Sequence, residues 1–190
     1  MFLPRGQVQR LQQLNRVLPR YRYNGQVEFT LRDYRPEDFE ALWRIDQECF
    51  APGIAYSKRE LAIYIRRRGS FTIVAESAAT QGNHSPIAGF IVAEANRRMG
   101  HIISIDVLPF SRRLGLGSKL LEAAENRLSA LQCRNVVLET AVDNQAALGF
   151  YKRHQYAVLR VSPRYYSNGV DALVMGKSLR AQTEAPVAET

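Results

Sequence analysis

Val107-Leu108-Pro109-Phe110-Ser111-Arg112-Arg113-Leu114-Gly115-Leu116-Gly117-Ser118-Lys119 is the stretch on which the reading of this chain turns. A β-branched run, His101–Leu108, ends in a proline-bearing loop, and two glycines then open a long helix over Leu114–Leu131, with Leu120, Ala124, Leu128 and Leu131 along one face. The first amides of a helix have no intrahelical partner, and the helix dipole gives that end partial positive charge. Glycine lets such a backbone approach an anion with no Cβ in the way. Arg112, Arg113 and Lys119 add charge nearby. Together these features predict a cradle for a diphosphate.

Two families of phosphate binder are set aside. The lysine spacing of a Walker-A loop does not occur, which excludes that class of nucleoside triphosphatase. A dinucleotide turn would explain Gly115-Leu116-Gly117 and an acid, Glu139, about 20 residues on. Its third glycine position is Leu120, however, and a proline loop separates the strand from Gly115, where a dinucleotide turn follows its strand almost at once.

Outward from this segment, periodicity predicts strands over Val27–Arg32, Ser70–Glu76, Ile87–Glu94, Asn135–Thr140, Tyr156–Val161 and Asp171–Gly176. Helices are predicted from Pro36 to about Cys49, from Ser57 to near Gly69, and over Asn144–His154. Ser57 with Glu60 forms a capping-box pattern, and Pro36 suits a first turn. The strand–helix–strand unit from His101 to Thr140 needs a crossover, hence parallel neighbours, whereas the early strands are joined by short links and read as antiparallel. The fold class is α/β (α+β), a mixed sheet.

At 190 residues, with 46% hydrophobic and 23% charged residues, the chain has the balance of one packed domain. No apolar run approaches the ~20 residues of a membrane-spanning helix. Cys49 and Cys133 exclude a disulfide scaffold and suit a cytoplasmic protein. His84, His101 and His154 share no metal-ligand spacing, so no metal is expected. The net charge is +8, and five arginines without a single acid fall in residues 1–27. Residues 1–26 read as a basic arm or appended helix (Val8, Leu11, Leu14 and Leu18 recur at helical spacing), residues 27–180 as the domain, and 181–190 as a flexible polar tail. Such an arm suits contact with the ribosome or nucleic acid.

Arg112-x-x-Gly115-x-Gly117 resembles the coenzyme A pyrophosphate motif of the GCN5-related N-acetyltransferases, and Val107-Leu108-Pro109 resembles that family's Val-x-Pro at the strand end. Asn144-x-x-Ala147-x-x-Phe150-Tyr151 is similar to its Asn-x-x-Ala-x-x-Leu-Tyr helix. The resemblance spans about residues 28–179. Leu138-Glu139, Arg164-Tyr165-Tyr166 and Gly169-Val170-Asp171-Ala172 resemble the protein N-terminal, RimI-like branch, and Phe50–Tyr56 resembles its substrate loop. One departure is Gln155, which stands where the family has a helix-capping glycine; a left-handed residue there costs roughly 1 kcal/mol and predicts an altered helix end. The resemblance implies a mostly antiparallel sheet with a splayed parallel pair at an acetyl-CoA site. It implies cofactor contacts from Ile105, Val107, Arg112, Arg113, Leu114, Gly115, Leu116, Gly117, Ser118 and Asn144, acceptor contacts from Tyr56, His101, Tyr165 and Tyr166, Glu139 as general base and Tyr151 as general acid.

Near neutral pH an α-amine costs roughly 1 kcal/mol to deprotonate and a lysine about 4, so a modest base suffices for an N-terminus. The expected activity is direct acetyl transfer from acetyl-CoA, with no metal, to the α-amine of a protein or peptide. The alternatives are a lysine or small amine (polyamine, amino acid or aminoglycoside) as acceptor, or a non-catalytic coenzyme A-binding module with a nucleic-acid-binding arm. His101 is a second candidate base, because an imidazole in general titrates near neutral pH.

Overall fold

Among the described residues, eight strands form one sheet, in the order β1-β2-β3-β4-β5-β6-β8-β7. The computed structural model describes residues 20–23, 27–77 and 86–179. The strands are β1 (Arg20–Tyr23), β2 (Val27–Asp33), β3 (Ser70–Ser77), β4 (Ile87–Asn96), β5 (Met99–Val107), β6 (Asn135–Ala141), β7 (Ala157–Ser162) and β8 (Ala172–Ser178). The helices are α1 (Phe39–Cys49), α2 (Lys58–Arg66), α3 (Leu116–Ala130) and α4 (Gln145–Arg153), with a 3-10 turn, Pro36–Asp38, ahead of α1. The helix expected over Val8–Leu18 and the tail from 181 lie outside the described residues. All neighbouring strands are antiparallel except β5 and β6, which are parallel as the crossover through α3 requires.

The sheet begins earlier than the expected boundary at residue 27: Arg20–Tyr23 pair with Val27–Thr30. Arg-Tyr-Arg-Tyr carries no aliphatic alternation to announce a strand, and an edge strand needs a partner on one flank only.

Apolar helix faces cover both sides of the sheet. Leu116, Leu120, Leu121, Ala124 and Leu128 of α3 pack with Ile91, Ile102, Val136 and Leu138 on one side. Leu42 and Ile45 of α1 and Leu61 and Ile65 of α2 pack with Val74, Phe90 and Val92 on the other. The capping box of α2 is present: Ser57 Oγ accepts from the Glu60 N–H, and Glu60 reaches back to the Ser57 N–H at 2.9 Å.

Two irregularities in β5 shape the site. Ala93 pairs with Ile102 but Val92 pairs with Ser104, so Ile103 is an extra residue, a β-bulge. The β5–β6 ladder stops at Ile102↔Leu138. Beyond it the strands part, leaving Ile103–Val107 and Glu139–Ala141 on the two arms of a fork, with β6 still paired to β8 as far as Ala141.

The end of α4 corrects one expectation. Gln155 adopts φ +68° and the helix closes unaltered. The Gln155 N–H donates to the Lys152 carbonyl and the Tyr156 N–H to the Tyr151 carbonyl, both at 3.0 Å. These are the two bonds of a Schellman cap.

Candidate active site

The segment read as an anion cradle is the loop from β5 into α3. After β5, Arg112 folds back so that its Nε donates to the Val107 carbonyl at 2.8 Å. Arg113 (φ +63°) and Gly115 (φ +75°) both take left-handed conformations, and Gly115 is the N-cap of α3. The Lys119 N–H donates to the Gly115 carbonyl at 3.1 Å, closing the first helical turn. The amides of Leu116, Gly117 and Ser118 ahead of it have no carbonyl a turn earlier in the helix. A Cβ at Gly115 would meet nothing within 4 Å, so this glycine is required by its φ and faces open space. The Leu116 side chain is buried in the core, and those of Leu114, Ile105 and Val107 pack against it while remaining partly exposed. Ser118 Oγ lies 2.9 Å from Nε2 of His154, a partner that sequence reasoning missed.

At the fork, Oε2 of Glu139 lies 2.6 Å from Nε2 of His101. The parallel register brings them together, with His101 opposite Val137. A carboxylate only accepts, so Nε2 carries the ring proton while Glu139 is ionised. Burial, and then the negative charge of the nearby Glu139, push the Tyr165 phenol up to about 12. Tyr165 and Tyr166 stack edge to face at 5.0 Å. Four of the predicted residues thus share one end of the fork.

Tyr151 is 6% exposed, packed against Phe150 and Tyr156. Burial, and then the charge of Asp106, drive its phenol well above the ordinary value. Asn144 is a helix cap, its Oδ1 accepting from the Ala147 N–H at 3.0 Å. Tyr56 reaches β5 from the α1–α2 loop, its hydroxyl donating to the Ile103 carbonyl at 3.2 Å. Ser167 Oγ donates to the Gly53 carbonyl at 3.0 Å, fastening the β7–β8 loop to the α1–α2 loop.

Two buried carboxylates escaped the sequence reading. Asp106 (1% exposed) accepts from Ser104 Oγ at 2.7 Å, and burial raises its pKa well above the carboxylate range. Asp46 is fully buried on α1 and is raised to about 6, again by burial. The available signal was a charge inside an otherwise apolar strand, Ile105-Asp106-Val107, and an acid at i+4 from Leu42 on the buried stripe of α1. Cys49 Sγ donates to the Val107 carbonyl at 3.4 Å, and burial pushes its thiol up to about 11, which leaves it a poor nucleophile.

The model of the acetyltransferase (GNAT) family matches residues 39–156, from the start of α1 to the residue after the α4 cap. The chain belongs to this family. An N-acetyltransferase of Methanocaldococcus jannaschii, itself uncharacterized, is 38% identical over 92 residues, 48% of this chain and 59% of that relative. An N-alpha-acetyltransferase of Sulfurisphaera tokodaii is 36% identical over 83 residues, 43% of this chain and 50% of that one. This GNAT chain therefore spans between half and three-fifths of the length of these curated relatives. The structure of Ard1 from Thermoplasma volcanium superposes with a TM-score of 0.70 at 27% identity, covering 79% of this chain and 97% of Ard1. The fork, the bulge and the cradle of this GNAT domain all fall within the matched region. Among the described residues, no group of three or more His, Cys, Asp or Glu side chains is placed to hold a metal ion, and no helix is long and apolar enough to cross a membrane.

Proposed function

We propose that this chain transfers an acetyl group from acetyl-CoA directly to the α-amine of a protein or peptide N-terminus within a ternary complex. The observation that carries the reading is the Glu139 carboxylate, bonded to His101 and close enough to act on Tyr165, at the open end of a β fork whose other arm leads into an amide-lined cradle. The relatives named as N-alpha-acetyltransferases support the acceptor class. The cradle fits a diphosphate: three helix-start amides, open space at Gly115, and Arg112 and Arg113 beside them. Acetyl-CoA supplies the thioester-activated acetyl group.

The chain's own residues do the rest. The amides of Leu116, Gly117 and Ser118 bind the diphosphate. Glu139 takes the proton of the incoming ammonium at Oε2 or through a water, and His101 orients the carboxylate. Near pH 7 an α-amine loses this proton to solvent for roughly 1 kcal/mol, against about 4 for a lysine, which favours an N-terminal acceptor. A backbone N–H near Val107 stabilises the developing oxyanion. Tyr151 remains a neutral phenol, so it returns a proton at its hydroxyl only in step with the departure of the thiolate. Tyr165 and Tyr166 bracket the acceptor backbone. The basic arm, residues 1–26, is assigned to contact with nucleic acid or the ribosome, and free thiols at Cys49 and Cys133 suit a cytoplasmic location.

Purified chain should acetylate short peptides with free N-termini in preference to spermidine or free lysine in an acetyl-CoA turnover assay. Glu139→Gln should lower kcat by about 100-fold or more while the Kd for coenzyme A by calorimetry stays within about twofold. Preferential spermidine acetylation, or full turnover by the glutamine variant, overturns the reading.

A further inference from the structure

Tyr56 is fastened at three points. Its N–H donates to Oδ2 of Asp46 at 2.8 Å, its carbonyl accepts from Nε2 of Gln47 at 2.8 Å, and its hydroxyl donates to the Ile103 carbonyl at 3.2 Å. Gln47 closes the ring with a second bond, Nε2 to Oδ2 of Asp46 at 3.0 Å. Ile103 is the extra residue of the β5 bulge, so the third point ties the α1–α2 loop to the strand where the fork opens.

Asp46 is an expensive way to build such a clamp. It is fully buried, no cation is among the groups that act on it, and its Oδ1 has no hydrogen-bond partner among the described residues. A buried carboxylate without a cation costs stability. Leu42 and Ile45 on the same helix show what packing alone selects at buried positions.

We propose that Asp46 is a positioning residue for the acceptor, acting through Tyr56 to hold the Phe50–Tyr56 loop level with the β5 bulge and so set acceptor affinity. The proposal rests on the acetyl-transfer reading. The titratable groups whose charge bears on Asp46 or responds to it are Asp106 from β5, Glu60 from α2 and Tyr56 in the loop itself. All are acids, so among the described residues only hydrogen bonds hold Asp46 ionised. With its pKa near 6, the carboxylate is charged above that pH and loses its charge, and with it the stronger bond to the Tyr56 N–H, below it.

The test is steady-state kinetics of the full chain with acetyl-CoA and a free N-terminal peptide. Asp46→Asn should raise the peptide KM by about tenfold and change the acetyl-CoA KM by less than about twofold. The ratio of peptide KM between variant and wild type should fall toward one below pH 6, because the wild type then also lacks the charge; the titration of the peptide's own amine cancels in this ratio. Tyr56→Phe, which removes only the bond to Ile103, should shift the peptide KM the same way by less. An unchanged peptide KM, an equal rise in both KM values, or a ratio flat with pH overturns the proposal. Should Asp46→Asn fail to fold by circular dichroism, Gln47→Met and Tyr56→Phe decide by the same two KM values. A wild type that turns over another amine but no peptide defeats the functional reading alone, and the same comparison with that amine still judges the clamp. No turnover of any amine defeats both.

Discussion

Gln155 shows how a single residue can keep a conformation that its chemistry disfavours. Its φ of +68° belongs to glycine, and a side chain in that region costs about 1 kcal/mol. The cap survives because Tyr156, the residue beyond it, is pinned: its ring lies 5.6 Å from that of Tyr151 and its hydroxyl donates to Glu125 at 2.9 Å. Gln155→Gly should therefore raise the unfolding free energy by about 1 kcal/mol with no change in the peptide KM, read from urea melts beside turnover. A variant no more stable than wild type would show that the neighbouring contacts, and not the backbone, set the local energy. The sequence identified the position and its cost; it did not show that α4 would close normally, because the compensation comes from Glu125 on another helix. Asp46 and Asp106 were marked in the sequence only by their apolar neighbours, for a related reason. Burial and hydrogen-bond partners make those acids unusual, and neither quantity is written in the residue's name.

Elements with strong periodicity, such as α3 and β4, were readable to within a few residues because their apolar faces repeat over many positions. The bulge and the fork were not. β5 is β-branched on both sides of Ile103, so one extra residue leaves no mark on the pattern, and the parting of β5 from β6 depends on pairing partners rather than on either strand alone. Gly89 of β4 tests how closely the end of β5 must be held. It pairs with Val107, and a Cβ there would sit 2.4 Å from the Asp106 carbonyl oxygen and 3.2 Å from the Val107 Cα. Those are backbone atoms, which a rotamer change cannot relieve. Gly89→Ala should displace the strand end that carries the cradle, costing about 1–3 kcal/mol of stability and weakening coenzyme A binding by calorimetry. Retained affinity in a destabilised variant would show that the cradle is positioned from α3 and not from β5.

For the whole molecule, the two helix layers divide the chemistry. The α3–α4 side carries the proposed anion cradle and an apolar core, whereas the α1–α2 side encloses Asp46 against β5. That asymmetry has a measurable consequence for stability against pH. Asp46 has a pKa of about 6 in the folded chain and about 3.9 when unfolded, so between those values the folded state holds the extra proton. Stability falls with rising pH wherever the native state binds more protons than the unfolded one. The penalty is therefore absent below about pH 4 and fully present above about pH 6, where two pKa units correspond to about 3 kcal/mol. Asp106 is raised by burial as well, but it is present in both proteins when wild type is compared with Asp46→Asn. The difference in unfolding free energy between that variant and wild type should move in favour of asparagine by about 3 kcal/mol from pH 4 to pH 8, whatever constant cost the amide brings. Denaturant melts at the two pH values measure it. The same substitution is expected to weaken the acceptor site, so a variant that gains stability with pH while losing peptide affinity would show a charge kept for positioning at the expense of stability. A difference independent of pH would mean that Asp46 is ionised at an ordinary carboxylate pKa and that its burial carries no such cost.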